Sequence, residues 1–179
     1  MTPPRVPTYA MCRWLLIPVV AAHNLEEWIM VPRYGSIAPA LQNHAAELFA
    51  TPPLLVLQTA WLLVTLVPAL VVLFAARADR SPFRDGLVCL VASMYLANAF
   101  VPHLLEFAMS RAYAPGLVTA SLVVLPFGIV LMRQGLREQY LSGRQLAAVV
   151  AAGFLALPVV IASSFAISSA FAAMFGWVA

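Results

Sequence analysis

The sequence predicts an all-α fold, a polytopic membrane helix bundle with about five transmembrane helices plus a short interfacial or re-entrant helix. Three observations predict it. Apolar residues make up 63% of the chain and charged ones 9%, with a mean hydropathy of +0.92; a soluble domain carries roughly 25% charged residues. Such a chain could not cover an aqueous surface, which excludes soluble enzymes, nucleic-acid binders and secreted disulfide scaffolds. The 179 residues, at about 20 per crossing, allow one bundle, so residues 1–179 form a single domain. Finally, Arg, Pro and Gly divide the chain into apolar runs.

Five runs read as spans: Cys12 to Met30, Pro53 to Ala76, Leu87 to Met109, Pro115 to Met132 and Gln145 to Trp177. In the last, Pro158 predicts a kink or a re-entrant break. Residues 31–52 are neither plainly apolar nor a plain loop. Their part from Pro39 to Ala50 has helix formers behind a proline suited to a first turn, so a short helix is expected on or partly inside the membrane surface. Cys12 and Cys89 lie far apart in apolar surroundings and read as inert packing residues. Trp14, Trp28, Trp61 and Trp177 suit interfacial belts.

The arginines set the expected orientation. With the N-terminus cytoplasmic, the inner side collects Arg5, Arg13, Arg77, Arg80, Arg84, Arg133, Arg137 and Arg144, and the outer side keeps Arg33 and Arg111. This is a strong positive-inside bias, and it puts the C-terminus outside. A cleaved signal peptide is the rival reading of the first run, with Val20-Ala21-Ala22 as a small-residue cleavage site; Pro18 within the short apolar stretch argues against it.

The chemistry concentrates in one pattern. The chain has 3 His, and each is followed three residues later by Glu: His23-Asn-Leu-Glu26-Glu27, His44-Ala-Ala-Glu47 and His103-Leu-Leu-Glu106. Given the frequency of Glu, chance would do this on the order of 2 times in 100,000. Positions i and i+3 share a helix face, and the expected topology brings all three motifs to the outer half. A carboxylate at the bilayer centre costs roughly 2.5–3.5 kcal/mol on insertion scales, and a divalent cation would offset that. His23, Glu26, Glu27, His44, Glu47, His103 and Glu106 are therefore the candidate metal ligands, expected to converge on one pocket. Glu26, Glu27 and Glu106 are the candidate catalytic carboxylates. The set is too large for one tetrahedral zinc and approaches the dinuclear carboxylate sites of helix bundles. The bland alternative is that each pair satisfies itself as inter-helix glue. Asn98 is a candidate hydrogen-bond partner to the ligands, while Arg33 and Arg111 could hold an anionic headgroup or act as ordinary interfacial anchors.

The segment His23-Asn24-Leu25-Glu26-Glu27, with the Asn43-His44-x-x-Glu47 and His103-x-x-Glu106 segments, resembles the HXXEE family of small bacterial integral-membrane proteins, which has no assigned reaction. The resemblance covers about the first two-thirds of the chain by motif position. It implies an integral protein of the bacterial inner membrane with a polar His/Glu site, and it names no substrate.

The expected function is a membrane-embedded metalloenzyme with one or two divalent ions. Iron would suit oxidation, hydroxylation or desaturation of a lipid or other apolar substrate, with an external electron donor; zinc would suit hydrolysis, and manganese is a further alternative. A metal-independent isomerase or cyclase using Glu/His acid–base chemistry is the second expectation. A metal or proton transporter is the third. No nucleic-acid partner is expected, and nothing in the sequence sets the oligomeric state.

Overall fold

A computed structural model describes residues 7–44, 52–77 and 81–176, and among these it is helical without strands. Helix α1 (Tyr9–Tyr34) begins where the Thr8 hydroxyl accepts the Met11 N–H, and it ends at Gly35, whose φ of 74° lets its N–H turn back to the Val31 carbonyl. That left-handed stop is open to glycine at no steric cost. A short α2 (Pro39–His44) follows, then α3 (Leu54–Ala76). Helix α4 (Pro82–Ser110) starts on a Ser81 cap with Pro82 in its first turn, the position where a missing N–H costs nothing. Helix α5 (Leu117–Arg137) and helix α6 (Gly143–Met174) complete the chain, the last opened by a reciprocal Ser142/Gln145 capping box.

Helices α3, α4, α5 and α6 are each long and apolar enough to cross a membrane. The boundaries lie within a few residues of the expected spans. One expectation changes. Helix α6 runs unbroken through Pro158 for 32 residues, so there is no re-entrant break. The short helix is described only as far as His44; the rest of the expected stretch to Ala50 lies outside the described residues.

Helix α6 lies along α4 and α3, and α1 packs against α3 and α5. The α4–α6 approach requires Gly153, because a Cβ there would fall 2.3 Å from the Ser93 Cβ. Small residues of this kind let apolar helices close up when no hydrophobic effect drives them together. Tyr9, Leu16, Val20, Val72, Val88, Val124 and Leu131 form the main core. Cys12 and Cys89 are both buried and unpaired by disulfide, as expected of packing residues. The outward faces are equally apolar: Leu70, Leu122 and Leu155 are 62%, 73% and 74% exposed.

Two irregular turns position the site. In α4 the backbone leaves helical geometry at Val101 (φ −132°, ψ 113°), within a wide turn over Ala99–Leu104 that contains Pro102. Proline has no N–H to give and restricts the residue before it, which accounts for the break at Val101. Helix α5 carries a similar wide turn over Ala120–Val124, one turn from its start. Such turns re-aim the side chains beyond them.

Candidate functional site

His23 and Glu27 sit four residues apart on α1, so they share a face. The Glu27 Oε1 lies 3.5 Å from His23 Nε2 and 2.9 Å from His103 Nε2. The two imidazoles meet edge-to-face with centroids 4.9 Å apart. Both histidines are fully buried, and Glu27 is 5% exposed. The Asn98 amide closes the group, 2.9 Å from His23 Nε2 and 3.3 Å from His103 Nε2. The other Glu27 oxygen accepts from the indole N–H of Trp61 at 2.7 Å. Gly116 lies directly against this cluster. A Cβ there would fall 2.4 Å from His103 Cε1 and 3.0 Å from Glu27 Cγ.

Hydrogen-bond bookkeeping fixes one tautomer. Thr119 donates its hydroxyl to the Glu26 carboxylate. Its oxygen then accepts from His23 Nδ1–H, 2.9 Å away. His23 is therefore protonated on Nδ1, and its Nε2 lone pair faces Glu27, His103 and Asn98. A chain of carboxylate, hydroxyl and imidazole of this kind orients a histidine for metal binding.

The i+3 glutamates do something else. Glu26 accepts the backbone N–H groups of Val118 (3.3 Å) and Thr119 (2.7 Å), and the Tyr113 hydroxyl at 2.9 Å. Glu106 accepts those of Ala40 (2.8 Å) and Leu41 (2.9 Å). In both cases the amides belong to the second and third residues of a neighbouring helix, α5 and α2 respectively. These are positions whose N–H groups have no intrahelical acceptor, and whose dipole favours negative charge. Each carboxylate thus caps a helix from outside. Burial, and the Glu26 carboxylate it faces, push the Tyr113 phenol well above its ordinary value, so it remains a donor.

The expected convergence of seven side chains is narrower here. His23, Glu27 and His103 bring three ligand atoms within 4.8 Å of one another. Among the described residues Glu26 is joined to the cluster through Thr119, and Glu106 turns to α2. The His44 side chain and all of Glu47 lie outside the described residues. The Asn98 amide lies within hydrogen-bond reach of both histidines. Arg33 and Arg111 are exposed at the ends of α1 and α4, where Tyr34 and Tyr113 meet with ring centroids 5.0 Å apart.

Trp61, Thr119 and Gly116 were invisible as site residues in the sequence. Trp61, assigned to an interfacial belt, is instead 4% exposed; only its place near the middle of an apolar run hinted at this. Asn24, beside His23, donates to Thr65 (2.7 Å) and to the Tyr95 hydroxyl (2.9 Å), tying α1 to α3 and α4. Glu27 also forms the polar wall of a cavity of about 200 Å³, otherwise lined mainly by apolar residues of α3, α4 and α6.

The donor set fits one ion. Ligands 2.0–2.2 Å from a tetrahedral centre stand about 3.4 Å apart; the Glu27 oxygen stands 3.5 and 2.9 Å from His23 Nε2 and His103 Nε2, and all three ligand atoms lie within 4.8 Å of one another. No curated protein and no solved structure matches the chain. The family model described as "Protein of unknown function with HXXEE motif" matches residues 14–131, a stretch that includes every residue of the His/Glu cluster. His23, Glu26 and Glu27 are its motif, and the chain belongs to the HXXEE family.

Proposed function

We propose that this chain is an integral membrane enzyme whose His23–Glu27–His103 centre holds one divalent metal ion and acts on a lipid or other apolar substrate. The observation that carries the reading is the meeting of two imidazole nitrogens and one carboxylate oxygen within 4.8 Å, fully buried and beside an apolar cavity. Two His and one carboxylate suit non-haem iron or catalytic zinc, and we favour iron. A dinuclear centre is not part of the proposal, because Glu26 and Glu106 are engaged by backbone amides. The ion, when bound, would supply Lewis-acid or redox chemistry; an oxidation would also need an electron donor from outside the chain.

The chain's own residues supply the rest. Thr119 and Glu26 hold His23 in the Nδ1–H tautomer, and Trp61 fixes the Glu27 carboxylate. The surrounding core excludes water. The apolar exposed faces of α3 to α6 support a bilayer location. The arginine distribution supports a cytoplasmic N-terminus. His103 lies about 10 Å along the helix from the Ser110 end of α4, which supports a centre in the outer half.

Metal analysis of protein purified without chelator tests this. About one equivalent is expected, falling below a tenth of that in Glu27→Ala and in His23→Ala. Less than about half an equivalent in the wild type would overturn the reading.

A second reading has a specific observation behind it. His103 Nε2–H can donate to Glu27, and His103 Nδ1 is buried without a partner. The nitrogens that face Glu27 therefore have partners without an ion, and the unpartnered His103 Nδ1 is left as a base of the kind a metal-independent isomerase or cyclase would require. Activity that survives exhaustive chelation would select it. Transport is less favoured, since Leu16, Val20, Val124 and Leu131 fill the bundle on the Tyr9 side of the centre and offer no polar path.

A further inference from the structure

The cavity beside Glu27 has an unusual inventory. Among the described residues its lining contains no Arg, Lys or His, and Glu27 is the one charged residue. Nothing there could pair with a phosphate or a carboxylate, and Glu27 would repel either one. Its side-chain donors are already committed. The Asn24 amide gives its hydrogens to Thr65 and Tyr95, and the Tyr95 hydroxyl donates to the Val64 carbonyl at 2.6 Å. The Asn98 amide donates to His23 Nε2 as long as that lone pair carries no ion, the Trp61 N–H serves Glu27, and the Ser164 hydroxyl returns to the Val160 carbonyl at 2.8 Å. Apart from the Ser36 hydroxyl, what the polar wall has left to offer is acceptors: the Glu27 carboxylate and the amide oxygens of Asn24 and Asn98.

An acceptor-only polar wall in an apolar cavity recognises a ligand that brings its own donor and no negative charge. We infer that the cavity binds the hydroxyl end of an uncharged lipid alcohol, and that it rejects fatty acids, phospholipids and lipids whose polar end cannot donate. The inference rests on the proposal that the centre acts on an apolar substrate, and it names that substrate's class. The size agrees. An apolar cavity of about 150 Å³ holds a benzene, so about 200 Å³ takes a ring or the first carbons of a chain, with the remainder of the lipid outside.

Equilibrium binding of tritiated hexadecanol to the full chain in nonionic micelles at pH 8 tests it, with all concentrations expressed per mole of detergent so that partitioning cancels. Hexadecanol should bind saturably. Hexadecanoate, which adds charge, and hexadecyl methyl ether, which removes the donor, should each compete at least tenfold more weakly. Glu27→Gln should bring hexadecanoate to within threefold of hexadecanol. Ala60→Trp and, as a milder filling, Ile161→Phe should both abolish saturable binding. Hexadecanoate or the ether competing as well as the alcohol would overturn the inference, as would alcohol binding that survives both fillings in folded protein. Metal content is read on the same preparations. Protein without metal that still selects the alcohol would sink the metal centre and leave the cavity assignment standing. Metal-loaded protein without that selectivity would sink the assignment alone.

Discussion

Thr119 shows how much one hydroxyl can decide. It donates to Glu26 and accepts from His23, so it carries the orientation of the imidazole with the charge of a carboxylate behind it. Thr119→Val keeps the shape and removes both bonds, leaving the His23 Nδ1–H buried and unpaired. The expected loss is about 1–3 kcal/mol, with the tautomer released. Thr119→Ser keeps both bonds and should stay within about 1 kcal/mol of wild type. Thermal unfolding of the two variants checks the pair. Equal losses in both would show that packing of the methyl, not the hydroxyl, matters. Gly116 is a second such position. Its φ of 86° and the 2.4 Å approach of a Cβ to the His103 ring predict that Gly116→Ala displaces His103, to be read as lost metal content in protein that still folds.

At the scale of elements, the recurrence of His-x-x-Glu was real, but its meaning was partly hidden. Periodicity alone located the spans, because apolar runs and the prolines and arginines between them are local signals. It also put Glu27 on the His23 face. What periodicity could not show is where the i+3 carboxylates go, since their partners are backbone amides of other helices, 65 to 93 residues away along the chain. Helix starts at Gly116 and Ala38 carry no capping side chain of their own, and that deficit is the one local hint that an acceptor must come from elsewhere. The break at Val101 is the other hidden step; it re-aims the segment that carries His103 and Glu106 relative to the turns of α4 before it. Glu106 is thus expected to hold α2 in place, not to catalyse. Glu106→Ala should speed amide hydrogen exchange at Ala40 and Leu41 at least tenfold while metal content stays near wild type. Unchanged exchange, or metal lost in step with Glu106, would contradict the capping assignment.

For the whole molecule, the question is how many times the chain crosses. Helices α3 to α6 pass on length and apolarity; α1 does not rank with them, although its 26 residues span about 39 Å against a hydrocarbon core of roughly 30 Å. What lowers it is Arg13, Glu26, Glu27 and Arg33. The arginines lie near its two ends, where long side chains reach the interface. Glu27 is buried and Glu26 half-buried, and both carboxylates are held by hydrogen bonds from neighbouring helices. The residues that make α1 look least like a span are those that build the centre. Helix α1 packed between α3 and α5 at full length should therefore cross, giving five crossings and termini on opposite sides. With the arginine-rich side cytoplasmic, alkaline phosphatase fused at the C-terminus should be active and green fluorescent protein at the same point dark. The reverse pattern, with a cytoplasmic N-terminus confirmed by a tag protected from external protease, would mean that both termini share one side. Helix α1 would then be a peripheral element, and its histidine and glutamates would have to reach the bundle from the surface.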